Sequence, residues 1–164
     1  MRNWLIALTF AAALGSALMA GLFFIFSNTI MTALGKLPPA AGIAAMQAIN
    51  VWILNPLFRV VFLGTGAIAA LLAIVALFNL AQAWSLPLLA ASLCYLLGAL
   101  LVTIIFNVPL NNGLAALSPD GAESARFWTD YLRVWTAWNH LRTVLSLAAT
   151  ALFILALCRG WPAN

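Results

Sequence analysis

Two apolar runs and the short turn between them decide the fold. They are PLFRVVFLGTGAIAALLAIVALF at residues 56–78 and LPLLAASLCYLLGALLVTIIF at residues 86–106, joined by NLAQAWS at residues 79–85. A helix needs about 20 predominantly apolar residues to cross a bilayer, and each run is long enough. A turn this short, with no charged residue in it, brings the chain back alongside itself. The stretch therefore predicts two antiparallel membrane-spanning helices.

Two further apolar segments flank this pair, at residues 4–31 and 135–158. The first has features of a signal peptide, because Arg2 precedes it and LMA at residues 18–20 fits a cleavage site. Its apolar stretch continues through GLFFIF, however, well beyond the roughly 7–15 residues of a signal peptide's apolar region. We therefore expect an uncleaved first span and a single domain, residues 1–164, with four spans in up-down topology.

The composition agrees with a membrane protein. Hydrophobic residues make up 66% of the 164 residues, and mean hydropathy is +1.10, well above the range of a soluble domain. Seven basic and three acidic residues are too few and too dispersed for a nucleic-acid-binding face. Cys94 and Cys158 lie in apolar runs without a CxxC spacing, which favours buried thiols over a disulfide or a metal site. The expected partner is the lipid bilayer.

The connections between spans predict additional helical structure. Pro38 and Pro39 end the first helix, and AAGIAAMQAI at residues 40–49 predicts a short interfacial helix. Asn55 followed by Pro56 is a favourable N-cap and first-turn pair for the second span.

The fourth helix is expected to be longer than the bilayer is thick. Asp120 and Glu123 have capping-box spacing. A helix running unbroken from there to Cys158 would extend about 57 Å, against a hydrocarbon core of about 30 Å, so its first turns would project from the bilayer. The predicted fold class is an all-α, integral membrane four-helix bundle.

Polar residues gather at one end of this predicted bundle. With up-down topology, one end receives Asn28, Asn55, Arg59, Asn107, Asn111, Asn112, Asn139, His140 and Arg142. The other end receives Arg2, Asn3, Asn79, Gln82 and Arg159, with no histidine and no carboxylate. An arginine at mid-bilayer costs about 2.5–3.5 kcal/mol on insertion scales, so Arg59 and Arg142 are expected to face the bundle interior or a watery cavity.

Helical spacing supports a pocket at the polar end. Tyr131, Trp135, Trp138 and Arg142 recur at i, i+4, i+7 and i+11, which places them on one face of the fourth span. Alternative readings are an interfacial aromatic belt, snorkelling arginines, asparagines that join helices, and a structural histidine. Each alternative explains single residues, but none explains the difference between the two ends.

Several motifs resemble the anthrone oxygenase-like family of small four-span membrane proteins. They are FNVPLNNGLAAL at residues 106–117, the pattern W..YL..W..WNHLRT at residues 128–143, AAMQAIN at residues 44–50 and LNPLF at residues 54–58. The similarity covers nearly the whole chain, and the combination of NVPLNN with WNHLRT is fairly specific. The positions that match the family are Asn107, Pro109, Asn111, Trp135, Asn139, His140 and Arg142. The resemblance implies oxidation of an anthrone to an anthraquinone by molecular oxygen, without a metal or flavin.

The residues at the polar end suit a flat, apolar, weakly acidic ketone of this kind. His140 is expected to be the base that removes a proton from the substrate, because histidine accepts protons near neutral pH. Arg142 or Arg59, helped by Asn107 or Asn111, is expected to stabilise the oxyanion that forms. Aromatic rings would stack on the substrate. The expected substrate-binding residues are Arg59, Asn55, Asn111, Asn139, Trp135, Trp138, Tyr131 and Phe106.

Other functions stay open at this point. One is a non-enzymatic carrier of an amphipathic small molecule, and another is a membrane interaction subunit. No P-loop, GxSxG or HExxH motif is present, and a haem pair or a di-iron site lacks ligands. No cofactor is expected, although a single haem on His140 stays open. Oligomeric state is likewise open.

The membrane orientation rests on basic residues near the two ends. Arg2 and Arg159 flank one end, whereas Lys36, Arg126 and Arg133 flank the other among the three acids. The positive-inside rule counts basic residues and largely ignores acids, so it does not separate the ends cleanly. We expect an integral, multi-pass protein, in the plasma membrane if the source is a bacterium, with both termini cytoplasmic.

Overall fold

Four long helices form the protein. The structure is a computed structural model that describes residues 2–160, and it contains no strand within that range. Four helices are long and apolar enough to cross a membrane: span 1 (Asn3–Gly35), span 2 (Pro56–Leu77), span 3 (Ser85–Ala115) and span 4 (Ser124–Gly160). A connecting helix (Pro39–Trp52) lies between spans 1 and 2. The predicted all-α class with four candidate membrane spans is confirmed.

The helix boundaries follow the capping signals in part. Asn55 caps span 2 as predicted, because its Oδ1 accepts a hydrogen bond of 3.0 Å from the backbone N–H of Phe58. Span 4 begins at Ser124 and not near Asp120. The hydroxyl of Ser124 donates to the backbone carbonyl of Ser118 and closes the turn before the helix. Span 4 is a helix of 37 residues, about 55 Å long at 1.5 Å per residue.

Span 3 continues well past its predicted end at Phe106. It contains π-helical segments at Cys94–Leu101 and Thr103–Asn107, and an α-helical segment follows at Val108–Ala115. Pro109, which has no backbone N–H, comes directly after the π-helical turn Thr103–Asn107, and the helix continues past it to Ala115. The proline therefore does not end the helix, and Asn107 and Asn111 stay on one continuous span.

The residues of span 1 contact residues of span 4 in the reverse order along the chain. The rings of Phe26 and Trp135 have centroids 5.8 Å apart. Three residues earlier on span 1, the ring of Phe23 lies 3.7 Å from Cζ of Arg142, which comes later on span 4. The two spans are therefore antiparallel, and span 4 is the helix against which span 1 packs most extensively.

Spans 2 and 3 form a hairpin held by side-chain hydrogen bonds. The hydroxyl of Ser85 donates to the carbonyl of Ala76 beside the turn, at 2.5 Å. Further along, the hydroxyl of Tyr95 donates to the carbonyl of Phe62, at 2.9 Å. Burial of these groups between apolar helices makes each bond worth more than it would be on a wet surface. The predicted pairing of these two runs is thus present in the structure.

The interior divides into two apolar clusters. The larger one lies among the four spans and includes Phe23, Tyr95 and Phe153. The smaller one lies where the connecting helix covers the bundle, with Ile43 and Met46 packed among the aromatic side chains of span 4. The predicted short helix is confirmed as a helix, and it forms a cover for one end of the bundle.

Candidate functional site

A cavity of about 820 Å³ opens at the end of the bundle that carries the asparagines. All four spans and the connecting helix contribute to its wall. Its size falls within the usual range of small-molecule pockets, about 300–1,000 Å³, and its wall is mostly apolar. The polar residues in the wall are Gln47, Asn50, Arg59, Thr103, Asn107, Asn111, Asn112, Asn139 and Arg142. A smaller cavity of about 570 Å³ at the opposite end includes Arg2, Trp4 and Trp84.

Arg142 is the most unusual residue of the larger cavity. Its side chain is only 6% exposed, and its Nε has no hydrogen-bond partner. The guanidinium lies over the ring of Phe23 and within 5.9 Å of the ring of Trp135. Across residues 2–160 no carboxylate pairs with it, and the ion pair that the structure shows there joins Arg133 to Asp130 on the surface. A buried cation without a counter-ion is costly, which favours an anionic or strongly accepting ligand.

Asn107 and Asn139 supply buried acceptors. The amide nitrogen of Asn139 donates to the carbonyl of Phe23 and to the hydroxyl of Ser27, both at 2.6 Å. The amide nitrogen of Asn107 donates to the carbonyl of Trp135, at 3.3 Å. Because a backbone carbonyl can only accept, these bonds fix which way each amide is turned. The Oδ1 atoms of both residues are buried and have no partner, so each is an unmet acceptor that a ligand hydroxyl reaching it would satisfy.

Asn111 is turned the opposite way. Its Oδ1 accepts two hydrogen bonds, from the hydroxyl of Tyr131 at 2.7 Å and from Nε1 of Trp135 at 2.8 Å. With both donors on the oxygen, the amide nitrogen of Asn111 is left as a donor for a ligand. The cavity therefore offers two unpaired acceptors, an amide donor and a buried cation.

Two π-helical turns border the cavity. One is Phe26–Ile30 in span 1, and the other is Thr103–Asn107 in span 3. A π-helical turn adds a residue to the turn and shifts the register of the side chains that follow, and such turns are frequent at functional sites. In span 3 the shift comes immediately before Val108–Ala115, and Asn107 and Asn111 both line the cavity.

The structure brings together six of the eleven residues predicted for the site. Arg59, Asn107, Asn111, Trp135, Asn139 and Arg142 all line the cavity. Tyr131 does not line it but holds Asn111 through its hydroxyl. Asn55 also lies outside the wall, because its side chain is used to cap span 2.

Phe106 and Trp138 are not part of the cavity wall. Their rings stack on each other, with centroids 3.7 Å apart and planes 10° from parallel. Each ring is half-buried. The structure therefore does not place them in the wall, because the two rings pack on each other, and their part in substrate binding stays a prediction.

His140 lies on the opposite side of span 4 from the cavity. Its side chain is exposed and does not line the wall, whereas its neighbours Asn139 and Arg142 are buried. Each residue turns an α-helix by about 100°, so residues this close in sequence face different ways. The prediction that His140 shares the pocket with Arg142 was wrong in position, and its part in turnover stays a prediction.

Sequence reasoning missed the contribution of the connecting helix. Gln47 lines the cavity, and its amide nitrogen donates to the carbonyls of Leu114 and Leu117, at 2.8 and 3.0 Å. It thereby ties the connecting helix to the end of span 3, where the carbonyl of Leu114 also accepts from the backbone N–H of Leu117. Asn50 lies one turn later and also lines the cavity. The signal was the i, i+3 spacing of these two amides in AAMQAIN, on one face of the helix.

No metal-binding cluster is seen in the part of the chain that the structure describes. Within residues 2–160, no three or more His, Cys, Asp or Glu side chains come together. The expectation that no cofactor is used stays a prediction.

Comparison with known proteins identifies one family. A family model described as anthrone oxygenase matches residues 56–152. The matched range contains all of spans 2 and 3 and the part of span 4 that lines the cavity, including Arg142. No curated protein and no solved structure matches the chain. The match therefore extends over three of the five helices that form the cavity.

Proposed function

The chain belongs to the anthrone oxygenase family, whose model matches more than half of it, and on this premise we propose that it oxygenates a flat aromatic substrate in the cavity around Arg142. The proposed substrate is a weakly acidic aromatic ketone that dissolves in the bilayer. The observation that carries the proposal is the buried guanidinium of Arg142, which has no acidic partner within residues 2–160. A substrate oxyanion would supply the missing negative charge.

The proposed reaction converts a ring methylene to a ketone. Loss of one proton from the methylene gives an anion whose negative charge lies largely on the ketone oxygen. Molecular oxygen adds to the ring carbon, and loss of water leaves a second ketone. Overall, the CH₂ group and O₂ give C=O and H₂O, so the carbon loses the four electrons that O₂ gains. Arg142 and the amide nitrogen of Asn111 would stabilise the oxyanion in a low-dielectric cavity.

The proton is proposed to leave without a carboxylate or histidine base in the cavity wall. The ionisable groups in the described wall are Arg59 and Arg142. A cation beside a weak acid favours the acid's charged form and lowers its pKa. Arg142 would therefore acidify the bound substrate, and water at the mouth of the cavity would take the proton.

The proposal is tested by replacing Arg142 in purified protein reconstituted into lipid nanodiscs. Anthrone is the probe, with oxygen uptake and quinone absorbance as readouts and empty nanodiscs as the blank. Arg142→Gln is expected to lower kcat by about 10²–10³, the usual loss for an oxyanion-stabilising donor. Arg142→Lys should recover part of this loss. Arg133→Gln is the control, since that guanidinium is exposed and bonded to Asp130.

Turnover that is unchanged in a folded Arg142→Gln protein would refute the role of Arg142. The carrier alternative predicts binding of anthrone without turnover. The described wall holds no carboxylate or histidine, which is also what a binding protein would show. Tight, stoichiometric binding of anthrone by the wild-type protein without oxygen uptake would favour a carrier over an enzyme, and a stable co-purified polypeptide would favour an interaction subunit.

A further inference from the structure

The cavity is open between spans 2 and 3. Residues that both line a cavity and remain exposed mark its mouth. Leu63 on span 2 and Ile104 on span 3 line the cavity and are each 54% exposed. Val108, one turn further along span 3, also lines it and is 39% exposed. This part of the mouth is therefore formed by apolar side chains on facing helices.

The opening begins where the packing of spans 2 and 3 ends. The two helices are joined near their turn by Ser85 and Ala76, and further along by Tyr95 and Phe62. Span 2 packs on the Ser85–Leu93 and Cys94–Leu101 segments of span 3. In the first two turns of span 2, Phe58, Arg59, Phe62 and Leu63 line the cavity. Spans 2 and 3 are thus packed together in the half of the hairpin near their turn, and a slot lies between them in the other half.

The slot runs from hydrocarbon depth to the polar end of the bundle. Leu63 lies about 10 Å from the start of span 2 at 1.5 Å per residue, and a hydrocarbon core is about 30 Å thick. Nearer the end of the bundle, the exposed lining residues are the polar Arg59 and Asn112 and the apolar Val51, Leu54 and Ala115. The rim is therefore apolar at depth and mixed near the end of the bundle, where Arg59 and Asn112 can meet the polar edge of a molecule with an apolar body.

We infer that this slot is a lateral portal through which a flat, amphipathic aromatic molecule enters from the bilayer, with Leu63 and Ile104 controlling its passage. The polar edge of the molecule passes Arg59 at the rim and reaches Arg142 inside. The portal follows from the shape and lining of the cavity. Only the class of ligand rests on the proposed function.

The portal can be tested with a reactive flat aromatic that starts in the lipid. Cys94→Ala and Cys158→Ala remove the native thiols, and Met46→Cys places one thiol in the cavity wall, where Met46 is 1% exposed. The probe is N-(1-pyrenyl)maleimide, dissolved in phosphatidylcholine vesicles that contain the protein. It becomes fluorescent when it reacts with a thiol. Labelling at Met46→Cys should proceed from the bilayer.

Narrowing the slot should slow this labelling. We expect Ile104→Phe and Leu63→Phe each to lower the labelling rate about tenfold, the effect of a barrier raised by ~1.4 kcal/mol. Ile105→Phe is the matched control, because Ile105 is 49% exposed but does not line the cavity. Since all variants carry the same reactive cysteine, differences in rate report access.

Equal labelling rates in Ile104→Phe and Ile105→Phe would overturn the portal. Labelling that occurs only with a charged, membrane-impermeant maleimide added in water would also overturn the portal. A second cavity site, Thr103→Cys, guards against a poorly reactive thiol at Met46→Cys, and the absence of labelling from the bilayer at both sites would overturn the portal as well. Labelling needs neither Arg142 nor oxygen. A protein without turnover that still shows slot-dependent labelling would therefore refute the oxygenase proposal and support the portal.

Discussion

The guanidinium of Arg142 is the most costly group of the cavity to bury. Removing a cation from water costs several kcal/mol even after the protein relaxes. Its contact with the ring of Phe23 recovers up to about 2 kcal/mol, the usual limit for a desolvated cation over an aromatic ring. The remainder is not offset by any carboxylate of residues 2–160. An oxyanion at this position would therefore bind with more energy than a neutral ring of the same shape.

His140 provides the sharpest single-residue test. We expect His140→Ala to keep most of the wild-type rate of anthrone oxidation, because the imidazole is exposed on the face of span 4 that points away from the cavity. The measurement is oxygen uptake in nanodiscs, compared with Arg142→Gln. If His140→Ala loses turnover while it still folds and still binds anthrone, the acidification by Arg142 is insufficient and the histidine is the base.

The sequence already held the information that separates His140 from Arg142. Tyr131, Trp135 and Arg142 recur at helical spacing and are all buried, so the stripe identifies the inward face of span 4 correctly. At about 100° per residue, His140 lies about half a turn from that stripe. The prediction placed His140 in the pocket because it is only two residues from Arg142, although helical geometry turns the two side chains in different directions. The pairing of Phe106 with Trp138 had no such signal, because periodicity gives the face of a helix but not its neighbour.

Among the helices, span 3 departs most from its predicted form. The prediction ended it at Phe106, where the apolar run ends. The π-helical segment Thr103–Asn107 precedes Pro109 and lets the helix continue to Ala115. Such turns have no simple sequence signature, so neither the extra length nor the resulting aim of Asn107 could be predicted. The start of span 2 was predictable, since Asn55 and Pro56 carry standard capping chemistry.

Close approach of spans 3 and 4 depends on Gly98. A Cβ atom at this position would overlap the side chain of Leu145 on span 4. We expect Gly98→Ala to lower the free energy of unfolding by about 1–3 kcal/mol, the usual cost of overpacking. Thermal unfolding in detergent would measure this. Gly64→Ala is the control, since a Cβ there meets no atom within 4 Å, and it should be neutral or slightly stabilising. Equal stability of the two variants would contradict this account of the packing.

Across the molecule, periodicity and composition predicted the number of spans and the end that holds the polar residues. Six of the predicted site residues line one cavity because four apolar runs with short turns leave few ways to arrange the chain. The cover formed by the connecting helix was not predictable to the same degree. Gln47 lies 67 and 70 residues from the carbonyls that it pairs, and no local pattern reports such a contact. The slot beside Leu63 and Ile104 was likewise invisible, because it is an absence of packing between two apolar helices.

Because all five helices meet at the cavity, ligand binding should stabilise the whole fold. A ligand at 100 times its Kd stabilises the folded state by about 2.7 kcal/mol, provided that it does not bind the unfolded chain. We expect 2-hydroxyanthraquinone to raise the Tm of the wild-type protein in detergent, since its ketone can accept from Arg142 or Asn111 and its hydroxyl, too far from the ketones for an internal hydrogen bond, can donate to Asn107 or Asn139. Anthracene has a similar ring system without the oxygens, so it should raise Tm much less, and the difference should shrink in Arg142→Gln. An equal Tm increase from both compounds in the wild-type protein would mean that the cavity selects apolar shape alone and that its unpaired polar atoms have no part in recognition.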